Sequence, residues 1–256
     1  MKIQILGAHN IESRESRCIS LLIDDVLAID AGGLTSSLSR AQQQKLKAVL
    51  LTHQHYDHLR DVPALGINFS MYDSTLDIYA TRATHNVLAA HLLNDIVYPN
   101  YMAKPPERPS LRARELQAGK EEKIDGYNVL PVTVNHVVPT VGYQITSADG
   151  KKMFYTADTG PGLADTWRQI SPDLLISEVT AVNKYEDFAR KTGHLTPALF
   201  REEMRSFREI KGYLPQIVLV HMNPLDEKGI KSEIEEVVRG LNTTIRFGRE
   251  GMLLRL

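Results

Sequence analysis

The chain has 256 residues, 43% of them hydrophobic, enough to bury a sizeable core, and the length fits one large α/β domain over 1–256. Lys and Arg number 30 against 31 Asp and Glu, so the net charge of −1 supplies no global pull toward nucleic acid or an anionic membrane. The single cysteine, Cys18, excludes an intrachain disulfide framework, and its apolar setting Cys18-Ile19-Ser20-Leu21-Leu22-Ile23 predicts a buried core thiol.

The N-terminus, Met1-Lys2-Ile3-Gln4-Ile5-Leu6-Gly7, alternates like a strand and lacks a long apolar segment. No stretch approaches the length of a membrane span, so a soluble, cytoplasmic protein is expected. Strands are predicted over Lys2–Leu6, Cys18–Asp24, Val26–Asp30 and Lys47–Thr52, with Asp24-Asp25 as a tight hairpin turn. A helix is predicted over Asp57–Phe69, a strand over Leu76–Ala80 and a second helix over Arg82–Ile96, with His91 in its apolar face. From Tyr98 to Pro109 four prolines mark a loop. Strand patterns return at Val129–Asn135, Val141–Thr146, Lys152–Ala157, Leu174–Glu178 and Ile217–His221. Helices are expected at Pro197–Arg208 and Glu227–Gly240, and short strands at Thr244–Phe247 and Met252–Arg255. Two β-rich halves, each followed by helices, predict two sheets packed face to face with helices outside.

The densest chemical signal is Thr52-His53-Gln54-His55-Tyr56-Asp57-His58, which follows the apolar run Ala48-Val49-Leu50-Leu51. At a strand end alternate residues share a side, so His53 and His55 can point together, while Asp57 and His58 open a helix and turn toward a second point. Three imidazoles and a carboxylate in six positions make a metal cage rather than a solvated turn. Later strands end in further ligand types: His136 after Val132–Asn135, Asp158 after Met153–Ala157, and His221 after Ile217–Val220. His85 and His91 read as ordinary helix residues, and His9 as a residue of a loop near the rim.

The order His53-x-His55-x-Asp57-His58, then His136, Asp158 and His221, resembles the metallo-β-lactamase superfamily across nearly the whole chain. The runs Ile176-Ser177-Glu178-Val179-Thr180 and Gly193-His194-Leu195-Thr196-Pro197 are similar to its phosphodiesterase branch, which includes ribonuclease Z and the class II cyclic nucleotide phosphodiesterases. The class II pattern usually has Leu where this chain has Tyr56 and a small residue where it has Asp61. The resemblance implies an αβ/βα four-layer sandwich of two mixed sheets. It implies that His53, His55 and His136 hold one divalent metal, that Asp57, His58 and His221 hold another, and that Asp158 bridges them. Zinc is the expected ion, with manganese or iron as substitutes. His194, oriented by Glu178, is expected to stabilise a phosphate oxygen or protonate the leaving oxygen, and Asp57 joins them among the catalytic residues.

The resulting expectation is a phosphodiesterase for a small, cyclic nucleotide, with no membrane partner and a homodimer as the assembly considered. The alternative is a tRNA 3′-end endonuclease of the ribonuclease Z type. Those enzymes commonly carry a protruding arm, and the short spans from His136 to Asp158 and from Glu178 to His194 leave little room for one. Near-neutral charge also disfavours a large polyanion. Thioester or lactam hydrolysis is a further alternative, because a metal cage alone does not choose the bond. A non-enzymatic metal-binding scaffold is disfavoured by the complete ligand set.

Overall fold

The computed structural model describes residues 1–241 and 243–256. Its strands, in chain order, are β1 (Lys2–Gly7), β2 (Ser20–Ile23), β3 (Leu27–Ile29), β4 (Ala48–Leu50), β5 (Leu76–Ala80), β6 (Leu111–Glu115), β7 (Glu122–Ile124), β8 (Tyr127–Thr133), β9 (Val141–Thr146), β10 (Lys152–Tyr155), β11 (Leu174–Glu178), β12 (Gln216–Val220), β13 (Ile245–Phe247) and β14 (Leu253–Arg255). They form two seven-stranded mixed sheets, ordered β14-β1-β2-β3-β4-β5-β6 and β13-β12-β11-β10-β9-β8-β7. The helices are α1 (Leu34–Ser37), α2 (Arg40–Gln43), α3 (Tyr56–Leu59), α4 (Val62–Met71), α5 (Arg82–Val87), α6 (Ala164–Gln169), α7 (Glu186–Thr192), α8 (Pro197–Lys211) and α9 (Glu227–Val238).

Three apolar clusters define the layers. Ile3, Ile5, Leu21, Leu50, Tyr143 and Ile176 pack between the sheets. Leu34, Leu65 and Phe69 join one sheet to its helices, and Trp167, Phe200 and Ile230 join the other. The strands that carry their apolar residues on both faces are buried on both faces, which is the αβ/βα sandwich expected from the pattern. The β2–β3 hairpin turns at Asp24 and Asp25, with φ of 45° and 65°, the doubly positive turn that suits the right-handed strand twist.

Several elements differ from the sequence expectation. The helix predicted over Asp57–Phe69 is two helices, α3 and α4, interrupted at Arg60-Asp61. Pro63 is the cause, since inside a continuous helix its ring would strike the carbonyl of Leu59 and its missing N–H would leave that carbonyl unpaired. The predicted Arg82–Ile96 helix ends early: α5 runs into a π-helical turn at Leu88–Leu92, closed by the Leu93 N–H to Leu88 carbonyl bond of 2.8 Å. Asn94 then stops it by accepting the amides of Ile96 and Val97 through Oδ1, and Asp95 follows at φ 64°. His91 is exposed, not on an apolar face. By contrast, α8 starts as its residues predict, with Thr196 accepting from the Leu199 amide and Pro197 in the first turn, and continues to Lys211 before Gly212 at φ 78°.

Strands β3 to β6 are mutually parallel, β10 to β13 are mutually parallel, and β8 runs with β10 because β9 is antiparallel to both. The C-terminal ends of β4, β8, β10, β11 and β12 therefore open on one edge of the sandwich, and that geometry decides where a site can form. Among the described residues no helix is long and apolar enough to cross a membrane.

Candidate metal centre

All seven residues expected as ligands meet at this edge, in two adjoining groups that share Asp158. In the first, His55 Nδ1 faces His136 Nε2 at 3.2 Å, and His53 Nε2 and His136 Nε2 lie 3.7 and 3.9 Å from Asp158 Oδ2. In the second, His58 Nε2 and His221 Nε2 lie 3.2 and 3.3 Å from Asp158 Oδ1. Asp57 Oδ2 completes it, 3.2 Å from His221 Nε2 and 3.6 Å from His58 Nε2. Asp158 thus presents one oxygen to each group.

Three atoms here, His53 Nε2, His58 Nε2 and Asp158 Oδ1, are buried without a hydrogen-bond partner among the described residues. A buried polar atom left unpaired costs about 1–3 kcal/mol, so three together need a compensating ligand. Divalent cations supply it, and a set of five imidazoles and two carboxylates fits a borderline-soft ion. The charge states agree. Burial, reinforced by the positive charge of His58, holds His53 well below the usual imidazole range, and burial also lowers His55 and His136, so their lone pairs are free. Burial works against ionisation of Asp158, but His221 and His58 outweigh it and hold the carboxyl well below its usual range. Asp57, opposed by the same burial and favoured by His58 and His221, falls to about 2. Burial alone would discharge His58, yet Asp158, Asp30 and Asp57 raise it well above the normal value, the signature of a cavity built around positive charge.

The imidazoles are aimed from behind. His58 Nδ1 donates to Asp30 Oδ2 at 2.8 Å, and His53 Nδ1 donates to Thr52 Oγ1 at 3.0 Å while that hydroxyl donates to Asp30. His136 Nδ1 donates to the Gly193 carbonyl at 2.8 Å. His221 Nδ1 donates to Thr180 Oγ1 at 2.9 Å, whose own proton goes to Glu178 Oε2 at 2.7 Å. Because these partners accept, each Nδ1 keeps its hydrogen and Nε2 is the atom each ring turns toward the cluster. Asp30, Thr52, Thr180 and Gly193 were not singled out as site residues from the sequence. Asp30 offered a faint signal as a carboxylate ending an apolar strand, and Gly193 is required at φ 69°, where a Cβ would stand 2.8 Å from His136 Nδ1. Three non-glycine residues at this edge also hold positive φ, Asp30 at 57°, Ala157 at 57° and His221 at 61°, strain of the kind that gathers at functional sites.

His194 and Glu178 come together as expected, with Nδ1 and Oε1 2.8 Å apart. Glu178 is fully buried and accepts from the Thr159 and Leu195 amides as well, which leaves it little freedom. Burial alone would lower the His194 pKa, but the Glu178 carboxylate raises it to about 9. Its ring stacks on His221, with centroids 5.6 Å apart, and borders an open cleft of about 500 Å³ that also touches His55, Asp57, Asp158 and His221. His85 lies elsewhere, facing the Arg114 carbonyl through Nε2 at 3.0 Å.

Asn10, Ile11 and Glu12 also line the cleft. His9 does not border the cleft; it precedes these residues in the chain and pairs with Glu250. Its Nδ1 lies 2.7 Å from Glu250 Oε1, which also accepts the Arg17 amide at 3.0 Å. Burial disfavours the charged His9, but Glu250 and Glu227 raise its pKa above 6.5. Burial likewise opposes ionisation of Glu250, yet its bond to His9 holds it at about 2. The raised imidazole contributes stability that is full below 6.5 and lost as pH rises through its folded value. The depressed carboxyl contributes stability that is full above 4.5 and lost as pH falls toward about 2. Glu250→Gln is therefore expected to be less stable than the parent by about 1–2 kcal/mol in the window between those limits. Urea midpoints measured across pH check it: the gap should close on the alkaline side, and a gap independent of pH would reject the ion pair as its source.

The sequence matches the Beta-lactamase superfamily domain over residues 21–222. It is 24% identical over 255 residues to the ribonuclease Z of Archaeoglobus fulgidus, an alignment covering 79% of this chain and 78% of that protein. Unliganded yeast PDE1 superposes with a TM-score of 0.83 at 16% identity, covering 100% of this chain and 99% of that one. The short form of human tRNase Z (ELAC1) superposes with a TM-score of 0.72 at 18% identity, again covering 100% and 99%. With the family domain spanning most of its length and the two-sheet sandwich presenting clustered His and Asp residues at one edge, the chain belongs to the beta-lactamase superfamily as a metal-dependent hydrolase of metallo-β-lactamase fold.

Proposed function

We propose that this chain is a two-metal phosphodiesterase acting on a small, cyclic nucleotide, with 1–256 as one functional unit. The observation that carries the reading is His194, held at 2.8 Å by buried Glu178 and lining the same cleft as residues of two donor groups that share Asp158. His53, His55, His136 and Asp158 would hold one divalent ion, and Asp57, His58, His221 and Asp158 the other, with zinc the best match to the nitrogen-rich set. When bound, such a pair supplies Lewis acidity toward a phosphodiester and acidifies water.

The protein's own groups supply the rest. Water attacks phosphorus opposite the scissile P–O bond and gives up one proton to solvent; as the P–O bond breaks His194 Nε2–H protonates the departing ribose oxygen, and the imidazole then takes a proton back from solvent. Glu178 keeps the proton on Nδ1 and the ring in place. Thr180 ties the same carboxylate to His221, so the acid and the metal cluster share one rigid support. Asp57 stays ionised throughout the physiological range.

Substrate size is argued from the cleft. Its volume of about 500 Å³ suits a mononucleotide, and Arg60, the arginine among its lining residues, is already engaged by Glu12 at 3.0 Å and Asp61 at 3.1 Å. The alignment with ribonuclease Z over most of that enzyme's length favours a second reading, cleavage of an RNA 3′ end. A panel of 3′,5′-cyclic nucleotides beside a tRNA precursor with a 3′ trailer, assayed with added Zn²⁺ or Mn²⁺, separates the two. Cyclic nucleotides should be hydrolysed with only a shallow salt dependence. Cleavage of the precursor alone, with a steep log–log salt slope, would transfer the assignment to RNA processing.

A further inference from the structure

Tyr56 is the residue the mechanism leaves unused. It lies between His55 and Asp57, at the first position of α3, and borders the cleft with a side chain 64% exposed. A large aromatic ring at that exposure stabilises no core. Its backbone is fixed all the same: the His58 amide donates to the His55 carbonyl at 3.0 Å, and the Arg60 amide to the Tyr56 carbonyl at 2.8 Å. Consecutive Cα atoms stand about 3.8 Å apart, so the ring is rooted beside two residues that reach into the metal cluster. Ile11, 42% exposed, lines the same cleft and adds a second apolar surface beside the carboxylates and imidazoles of Asp57, Asp158, His55 and His221 that also line it.

The cleft thus combines the carboxylates and imidazoles of the candidate metal centre with the exposed apolar surfaces of Tyr56 and Ile11, a pairing that suits a phosphate joined to a planar base. We infer that Tyr56 is the platform on which the nucleobase of the substrate stacks; the inference rests on the phosphodiesterase reading and adds the recognition of a planar heteroaromatic ring. Tyrosine suits the task, because a ring with two side-chain torsions on a pinned helix turn loses little entropy when a base covers it. Stacking accepts any base, so Tyr56 would select nucleotides over base-free phosphodiesters without choosing among nucleotides.

Equilibrium binding separates this subsite from the chemistry. Calorimetry on Zn²⁺-loaded protein should show adenosine 5′-monophosphate binding more tightly than ribose 5-phosphate. Tyr56→Ala should weaken the nucleotide by about 5- to 150-fold, the span that base–aromatic stacking supplies, and leave ribose 5-phosphate unaltered. Tyr56→Phe should keep the parent affinity, and unchanged metal content in both variants verifies an intact site. Equal losses for the two ligands, no loss in Tyr56→Ala, or no preference for the nucleotide in the parent protein would each overturn the assignment. Turnover of bis(p-nitrophenyl) phosphate by the same preparations keeps the two readings apart. Its hydrolysis without a stacking preference removes only the subsite, whereas its absence removes the phosphodiesterase.

Discussion

Asp158→Ala is expected to lose both metals and to abolish turnover, the largest effect of any single substitution in this chain. Asp158 faces His58 and His221 through one oxygen and His53 and His136 through the other, and among the described residues it alone belongs to both groups. Removing it leaves the raised His58 with one fewer anion and the two groups with no common ligand. Changes behind the ligands typically cost about 10–100-fold in affinity or activity, and loss of a shared ligand should exceed that. Metal analysis of protein purified without chelator should find close to two ions per parent chain. The variant should hold almost none, and its melting temperature should no longer respond to a chelator that lowers the parent's. Full metal content in Asp158→Ala would show that the two groups do not depend on a shared carboxylate.

The second large effect is expected at His194. His194→Ala should retain both metals, because the seven expected ligands form their two groups without it. Its kcat should fall by about 10²–10⁴-fold, the usual worth of a positioned acid, with little change in KM. The loss should shrink on bis(p-nitrophenyl) phosphate, whose leaving phenolate needs no proton. Glu178→Gln should follow the same pattern with a smaller loss, since it orients the ring from 2.8 Å and does not itself give up the proton. Equal losses on both substrates would assign His194 to binding instead, and a missing metal would make it a ligand.

The chain order alone brought out the core of the candidate metal centre. His53, His55, Asp57 and His58 fall within six positions at the end of an apolar strand, where backbone periodicity by itself aims side chains. The same holds for strands whose apolar residues run together, and for α8, which carries its own start and stop signals in Thr196, Pro197 and Gly212. Alternation and capping are short-range effects, so they can be read without knowing what packs where. Pro63 was equally visible, and its break in the helix follows from the ring's own sterics.

Only the tertiary structure decided the rest. α7, with the charged segment Glu-Asp-Phe-Ala-Arg-Lys-Thr, has just Ala189 buried, so no apolar periodicity announced it. The edge strand β6 buries only Leu111, and its register is set by pairing with β5 rather than by a pattern of its own. The groups that aim the imidazoles are the clearest case. Thr180, Asp30 and the Gly193 carbonyl are chemically common, and each acquires its role because a histidine 28 to 57 positions away arrives within 2.8 to 2.9 Å of it. A ligand-type residue is rare enough to stand out in a sequence. A hydroxyl or carbonyl that orients it is not, because its significance is a matter of distance, and distance between remote residues exists only once the two sheets have closed on their common core.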